Sequence, residues 1–205
     1  MIRILCADIS SADGRTYGRL YESASDERKR KADRYRRYED QLRCVTADAL
    51  LKIALNTDDF QIEKNKYGKP YIKNREGFYY NLSHSGQYVA LAFGNTEVGI
   101  DIQKHDTATN MRMIADICFA RDEKEYVWQN GKRTVERFYE IWTGKESYLK
   151  YVGKGLSGDM RSFSVFGQGS KIRCLQNTPD DGYTLSFCSA DKEYTLELSD
   201  IRQLG

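Results

Sequence analysis

The chain has 205 residues, enough for one ordinary domain or two small subdomains sharing a core. Hydrophobic residues make up 40% and charged residues 30%, an ordinary soluble composition without low-complexity tracts. The net charge of +2 is too balanced to announce a nucleic-acid binder, and no apolar run has the length needed to cross a bilayer.

The first seven residues lack the apolar region of a signal peptide. The five cysteines are odd in number and contain no C-x-x-C, which argues for free thiols in a reducing compartment. A cytoplasmic protein is therefore expected. Residues 2–7 read as a strand. Ser23 or Ser25 can cap a helical region, with room for a break, that runs to about Leu55; Tyr35, Tyr38, Leu42, Val45, Ala49 and Ile53 recur in it at helical steps. Seven basic residues crowd its start, from Arg28 to Arg37, either as a solvated face or as a surface for phosphate or an acidic protein. Residues 60–63 and Pro70–Ile72 read as strands around the turn 66–69. Residues 78–81 and 88–93 are strands flanking a loop, Ser83-His84-Ser85-Gly86, and 98–102 is a further strand. Helices are expected at 111–119, 121–129 and Thr134–Val152. Strands at 162–166, Ile172–Leu175, 183–188 and 195–198 read as a meander. The expected class is α+β, in two similar halves, 1–100 and 101–205, with a ligand crevice between them.

Two segments stand out chemically. In Val98-Gly99-Ile100-Asp101-Ile102-Gln103, alternation sends Val98, Ile100 and Ile102 one way, while Asp101 and Gln103 project together on the other face, beside the space left by Gly99. A buried carboxylate needs a cation partner. In Trp142-x-x-Lys145-Glu146-x-x-x-Lys150, Trp142, Glu146 and Lys150 share one side of a helix. Each has an ordinary reading, a salt bridge for Asp101 and a surface ion pair of about 0.3–0.5 kcal/mol for Glu146 and Lys150. One acid in each segment, with lysines beside one of them, suggests a metal site facing a polyphosphate. Gly144-Lys145 is no phosphate-binding P-loop, since Tyr139 stands where a glycine is needed. With only His84 and His105 present, a multi-histidine metal site is excluded.

In order along the chain, the basic helix 25–43, Gly68-Lys69-Pro70, Asn81-Leu82-Ser83-His84-Ser85, Gly99-Ile100-Asp101-Ile102, the Trp142–Lys150 motif and Gly153-Lys154-Gly155-Leu156-Ser157 resemble the 4′-phosphopantetheinyl transferases of the Sfp type. The resemblance covers most of the chain. It implies a pseudo-dimer of two α+β subdomains, each an antiparallel sheet packed by helices, with coenzyme A and Mg²⁺ (Mn²⁺ as the alternative) in the cleft. The implied reaction moves the phosphopantetheine arm of coenzyme A onto a serine of an acyl or peptidyl carrier protein. Asp101, Gln103 and Glu146 would hold the metal. Glu146, Lys150 and Asp101 would be catalytic, Glu146 or a water it orients being one candidate base and Glu123 a weaker one. Lys145 and Lys150 would lie near the phosphates, Ser83 and His84 would hold them, and Arg28, Lys31, Arg43 and Lys69 would hold the nucleotide end. Gln103 departs from the carboxylate that the family often carries there: it offers an amide oxygen without charge. The implied partners are coenzyme A and a carrier protein, with no nucleic acid and no membrane, for a monomer. A rival reading is a non-catalytic coenzyme A or nucleotide-binding partner of a synthase.

Overall fold

A computed structural model describes residues 1–153, 160–167, 172–175 and 180–204. Strand β1 (Ile2–Asp8) is followed by helices α1 (Gly14–Ser23), α2 (Asp26–Ala32) and α3 (Tyr38–Leu55). Sequence periodicity missed α1, which Asp13 caps by accepting the Thr16 amide at 2.8 Å. Ser25 caps α2, and Asn56 closes α3 in the left-handed region at φ 53. The buried face of α3 is wider than its stepwise pattern implied. Residues 44–51 are all buried, whereas Ile53 is exposed.

Strands β2 (Ile62–Lys64) and β3 (Pro70–Ile72) form one hairpin, β4 (Tyr79–Ser85) and β5 (Tyr88–Gly94) another. Residues 83–85 are therefore strand rather than loop, because the ladder to β5 runs on to Ser85↔Tyr88. Then come β6 (Val98–Lys104), α4 (Met111–Cys118), α5 (Arg121–Trp128), α6 (Thr134–Val152), β7 (Ile172–Leu175), β8 (Tyr183–Ser189) and β9 (Tyr194–Asp200). The strand expected at 162–166 is not formed. Met160–Ser162 is a 3₁₀ turn, and the carbonyls of Met160 and Phe163 turn inward to Lys145 instead of to a ladder. The motif beyond Gly153, residues 154–157, lies outside the described residues.

The strands form two larger sheets, β4-β5-β1-β9 and β6-β8-β7. The expected C-terminal meander is corrected here. β9 leaves β8 and pairs in parallel with the open edge of β1, from Ile2↔Tyr194 to Asp8↔Asp200. The first sheet buries Leu5, Ala7, Val89 and Leu91 against α3. Its other face carries Ile2, Ile4, Ala90 and Ala92, which meet Val98, Ile100, Ile102, Leu185 and Phe187 of the second sheet. Period-two alternation thus supplies two cores from one set of strands. Helix α6 covers the outer face of the second sheet, where Thr143 and Ser186 share a hydroxyl contact of 2.6 Å. Helices α4 and α5 close over α6 through Phe119, Val127, Phe138 and Ile141.

The edges of the two sheets are joined by side chains rather than by a backbone ladder. Alternate residues of β4 accept the outward amides of β6: Asn81 Oδ1 takes Ile100 N at 3.0 Å, Ser83 Oγ takes Ile102 N at 3.2 Å and Ser85 Oγ takes Lys104 N at 2.9 Å. Short polar residues, poor strand formers by propensity, here satisfy amides that an edge strand would leave open. Val98, Ile100 and Ile102 enter the core between the sheets, as alternation predicts. The space expected beside Gly99 is filled. A Cβ there would lie 2.1 Å from Ser147 O and 2.3 Å from Tyr151 N, so the backbone of α6 rests directly on β6. Gly99→Ala is expected to lift α6 from β6 and to destabilise the fold by about 1–3 kcal/mol or more. Thermal denaturation measures the stability.

Candidate active site

Where β4, β6 and α6 meet, Asp101 is only 2% exposed. Its Oδ1 accepts from Lys150 Nζ at 2.7 Å and from Ser83 Oγ at 2.8 Å, and its Oδ2 accepts from Gln103 Nε2 at 3.2 Å. Lys150 Nζ also donates to Ile100 O at 3.0 Å and Ser83 Oγ at 3.2 Å. Glu146, one turn earlier on α6, is half-buried and has no hydrogen bond or ion pair among the described residues. Burial pushes its carboxyl above the usual glutamate range, Asp101 adds to the rise, and Lys150 opposes it. The structure thus brings Asp101, Gln103, Glu146 and Lys150 together. Trp142, on the same helix, packs instead into the cluster under α4 and α5.

Of two cavities that share Pro70, the smaller is lined by Glu146 and Lys150 of this cluster. The larger, about 670 Å³, is lined by Arg28, Arg30, Lys31, Arg34, Arg43, Lys64 and His84, with Glu27 and Asp40 the only acids among the described residues. Such an excess of cations suits a polyanion. Tyr35, Tyr80 and Leu82 give it apolar walls. Arg28 is steadied from behind by Asp48, 1% exposed, whose Oδ1 accepts Arg28 Nε at 3.2 Å. Arg43 is held by Asp40 at 2.6 Å and by the Gly86 carbonyl at 2.6 and 2.8 Å. Burial lowers the pKa of His84, Arg43, Lys150 and Lys31 lower it further, and Asp40 opposes them. The smaller cavity, about 240 Å³, is lined by Tyr67, Lys69, Asn81, Glu146, Leu149 and Lys150.

Four expected residues are engaged inside the protein. Lys145 is fully buried, away from either cavity: its ammonium pairs with Glu123 Oε2 at 2.8 Å and donates to Met160 O and Phe163 O, both at 2.7 Å. With its three protons used internally, it has none for a phosphate. Glu123 is equally buried and accepts the amides of Ala120 and Val165, both at 2.7 Å, so it is no free base. Ser83 points at Asp101, on the opposite face of β4 from His84, which lines the basic cleft. Lys69 reaches the smaller cavity but is anchored on Glu97 at 2.5 Å and on the carbonyls of Val98 and Tyr151, both at 3.2 Å. Sequence reasoning missed Asp48, although one acid inside the apolar run 45–51 signals a hidden cation partner.

A family model described as the 4′-phosphopantetheinyl transferase superfamily matches residues 97–199, and one for the N-terminal part of 4′-phosphopantetheinyl transferases matches residues 15–96. The chain belongs to the 4′-phosphopantetheinyl transferase superfamily. It is 30% identical over 200 residues to the 4′-phosphopantetheinyl transferase Sfp of Bacillus subtilis, covering 88% of each chain. It is 29% identical over 210 residues to the 4′-phosphopantetheinyl transferase gsp of Aneurinibacillus migulanus, covering 92% of this chain and 86% of that one. A second Bacillus subtilis 4′-phosphopantetheinyl transferase is 32% identical over 188 residues, covering 87% of this chain and 82% of that one. No helix among the described residues is long and apolar enough to cross a membrane.

The burial of Lys145 has a measurable consequence in this transferase. Lys145→Met leaves Glu123 charged and unpaired in the interior, at a cost of about 3–5 kcal/mol. The thermal midpoint should drop sharply, while KM for coenzyme A in the protein that stays folded is unchanged. A raised KM with unchanged stability would return Lys145 to the phosphate site.

Proposed function

We propose that this cleft transfers the 4′-phosphopantetheine arm of coenzyme A to a serine of an acyl or peptidyl carrier protein with the help of Mg²⁺, releasing adenosine 3′,5′-bisphosphate. The observation that carries the reading is the meeting of Asp101, Glu146 and Lys150 beside the basic cleft. The nucleotide end and its 3′-phosphate fit among Arg28, Lys31, Arg43 and His84. The diphosphate would then run past Pro70 towards Lys150.

No group of three His, Cys, Asp or Glu side chains with metal-binding geometry occurs among the described residues. The oxygens present nonetheless suit a hard cation that keeps several waters. Glu146 has no side-chain partner among the described residues, burial and then Asp101 raise its proton affinity, and Gln103 donates to the Asp101 carboxylate. Asp101 and Glu146 would hold the ion, with the Gln103 amide oxygen available after rotation of the amide. When bound, Mg²⁺ or Mn²⁺ supplies charge neutralisation at the diphosphate.

In the transfer, the serine oxygen bonds to the β-phosphorus as the bond from that phosphorus to the bridging oxygen breaks. Glu146, directly or through a water it orients, takes the serine proton, and its raised proton affinity favours that role. Lys150 faces the leaving bisphosphate and offsets its charge. The docking surface for an acidic carrier is the basic segment ending in Arg36 and Arg37, both exposed. The same reading takes the chain as a cytoplasmic monomer with a pseudo-dimeric fold, 1–100 and 101–205. Its support is that α3 covers β4-β5-β1 as α6 covers β6-β8-β7, although the boundary cuts β6 and β9 crosses back.

Mass spectrometry of an apo carrier protein incubated with enzyme, coenzyme A and Mg²⁺ should record one added phosphopantetheine. Coenzyme A binding without that gain would favour the non-catalytic rival. Asp101→Asn and Glu146→Gln should each remove most of the transfer. Glu146→Gln should also raise the thermal midpoint at pH 7. A carboxyl whose folded pKa lies above its unfolded value penalises the fold once both states are ionised, and the penalty vanishes below the unfolded pKa. The gain over wild type should therefore shrink as pH falls through the raised folded pKa and be gone below the ordinary glutamate range, read from melting curves across pH. Reversing the charges of Arg36 and Arg37 together should raise KM for the carrier several-fold with KM for coenzyme A unchanged; an unchanged carrier KM removes the segment from the interface.

A further inference from the structure

Lys150 is fully engaged where it stands. A lysine ammonium has three protons, and here they meet Asp101 Oδ1 at 2.7 Å, Ile100 O at 3.0 Å and Ser83 Oγ at 3.2 Å. All three acceptors belong to β4 and β6, and none is left for a phosphate. Beside it, Glu146 has no partner among the described residues. The cation in the seat is the lysine itself.

We propose that Lys150 is the resident cation of the metal seat, occupying Asp101 in the free enzyme and released towards the substrate phosphates when a divalent ion takes that carboxylate. The proposal rests on the metal reading given above and adds an order to it. With Lys150 in place, Asp101, Glu146 and the ammonium sum to one negative charge. A divalent ion at the carboxylates turns that into one positive charge, with the ammonium in direct repulsion. The Lys150 side chain is 29% exposed and lines the smaller cavity, so it has room to swing. A diphosphate in that cavity gives it new acceptors. Substrate thus draws the lysine off Asp101 and opens the seat, and an ion in the seat frees the lysine for substrate. By linkage each must tighten the other by the same factor. The lysine then acts as a positioning and ordering element as well as a neutraliser of the leaving group.

The test is Mn²⁺ binding, followed by electron paramagnetic resonance, with and without coenzyme A. The variants are wild type, Lys150→Met, Asp101→Asn and Lys31→Met, the last removing an exposed charge of the basic cleft. Without coenzyme A, Lys150→Met should bind Mn²⁺ about tenfold more tightly than wild type, because the competing cation is gone. Coenzyme A should then tighten Mn²⁺ binding less in Lys150→Met than in wild type. Lys31→Met should move the affinity by less than about twofold, since solvent and salt screen it. Should Lys150→Met fold poorly by near-ultraviolet circular dichroism, Lys150→Gln takes its place. Wild-type Mn²⁺ affinity in the Lys150 variant, or an equal gain in Lys31→Met, overturns the proposal while the metal site stands. If Asp101→Asn leaves Mn²⁺ binding intact, the metal site itself is misplaced and both readings fall.

Discussion

A carboxylate almost wholly out of water, at the seam of two sheets and a helix, has to be neutralised where it stands. Asp101 is that group, and much of the local architecture answers it. Ser83 from β4, Gln103 from its own strand and Lys150 from α6 all reach it within 3.2 Å. Those three donors come from elements that must each be in register for the contact to exist. The requirement therefore ties the sheet edges and the helix to one point, and the chemistry gathers there.

Two devices make the seam close enough. The Asn81, Ser83 and Ser85 side chains hold β4 against the outward amides of β6, each residue two steps from the last. Gly99 lets the backbone of α6 lie on β6 where any Cβ would collide. Behind the helix, the Lys145–Glu123 pair fastens residues 160–165 to α5 and α6. One short motif thus does opposite jobs on opposite faces of α6. Lys145 holds the interior together, while Glu146 and Lys150 face the cleft. The 100° step between neighbours on a helix is what separates them.

Much of this was legible along the chain. The alternation in residues 98–103 placed three side chains in the core and left Asp101 facing α6, because a strand offers only two faces. The bounds of α6 followed from its length and the glycine that ends it. Helix α1 was missed although Asp13 caps it and Tyr17, Leu20, Tyr21 and Ala24 recur at helical steps on its buried side. Residues 162–166 looked like a strand from their alternation, yet a buried ammonium claims the Phe163 carbonyl. The reading of residues 83–85 as a loop came from composition; Asn and Ser are poor strand formers, and they are tolerated because their side chains do the bonding for a neighbouring edge.

The sequence by itself determined the family, the α+β class and the roster of charged residues able to serve a polyphosphate and a hard cation. Those follow from residue types in order, which are local properties. Which lysine faces the cleft, which acid is free, and where β9 goes were decided only by tertiary structure. Lys145 and Lys150 are chemically identical in the chain, and the difference is the set of carbonyls and carboxylates that distant segments bring within 3.2 Å of each ammonium. Burial and partnership belong to the folded arrangement, and no spacing along the chain encodes them.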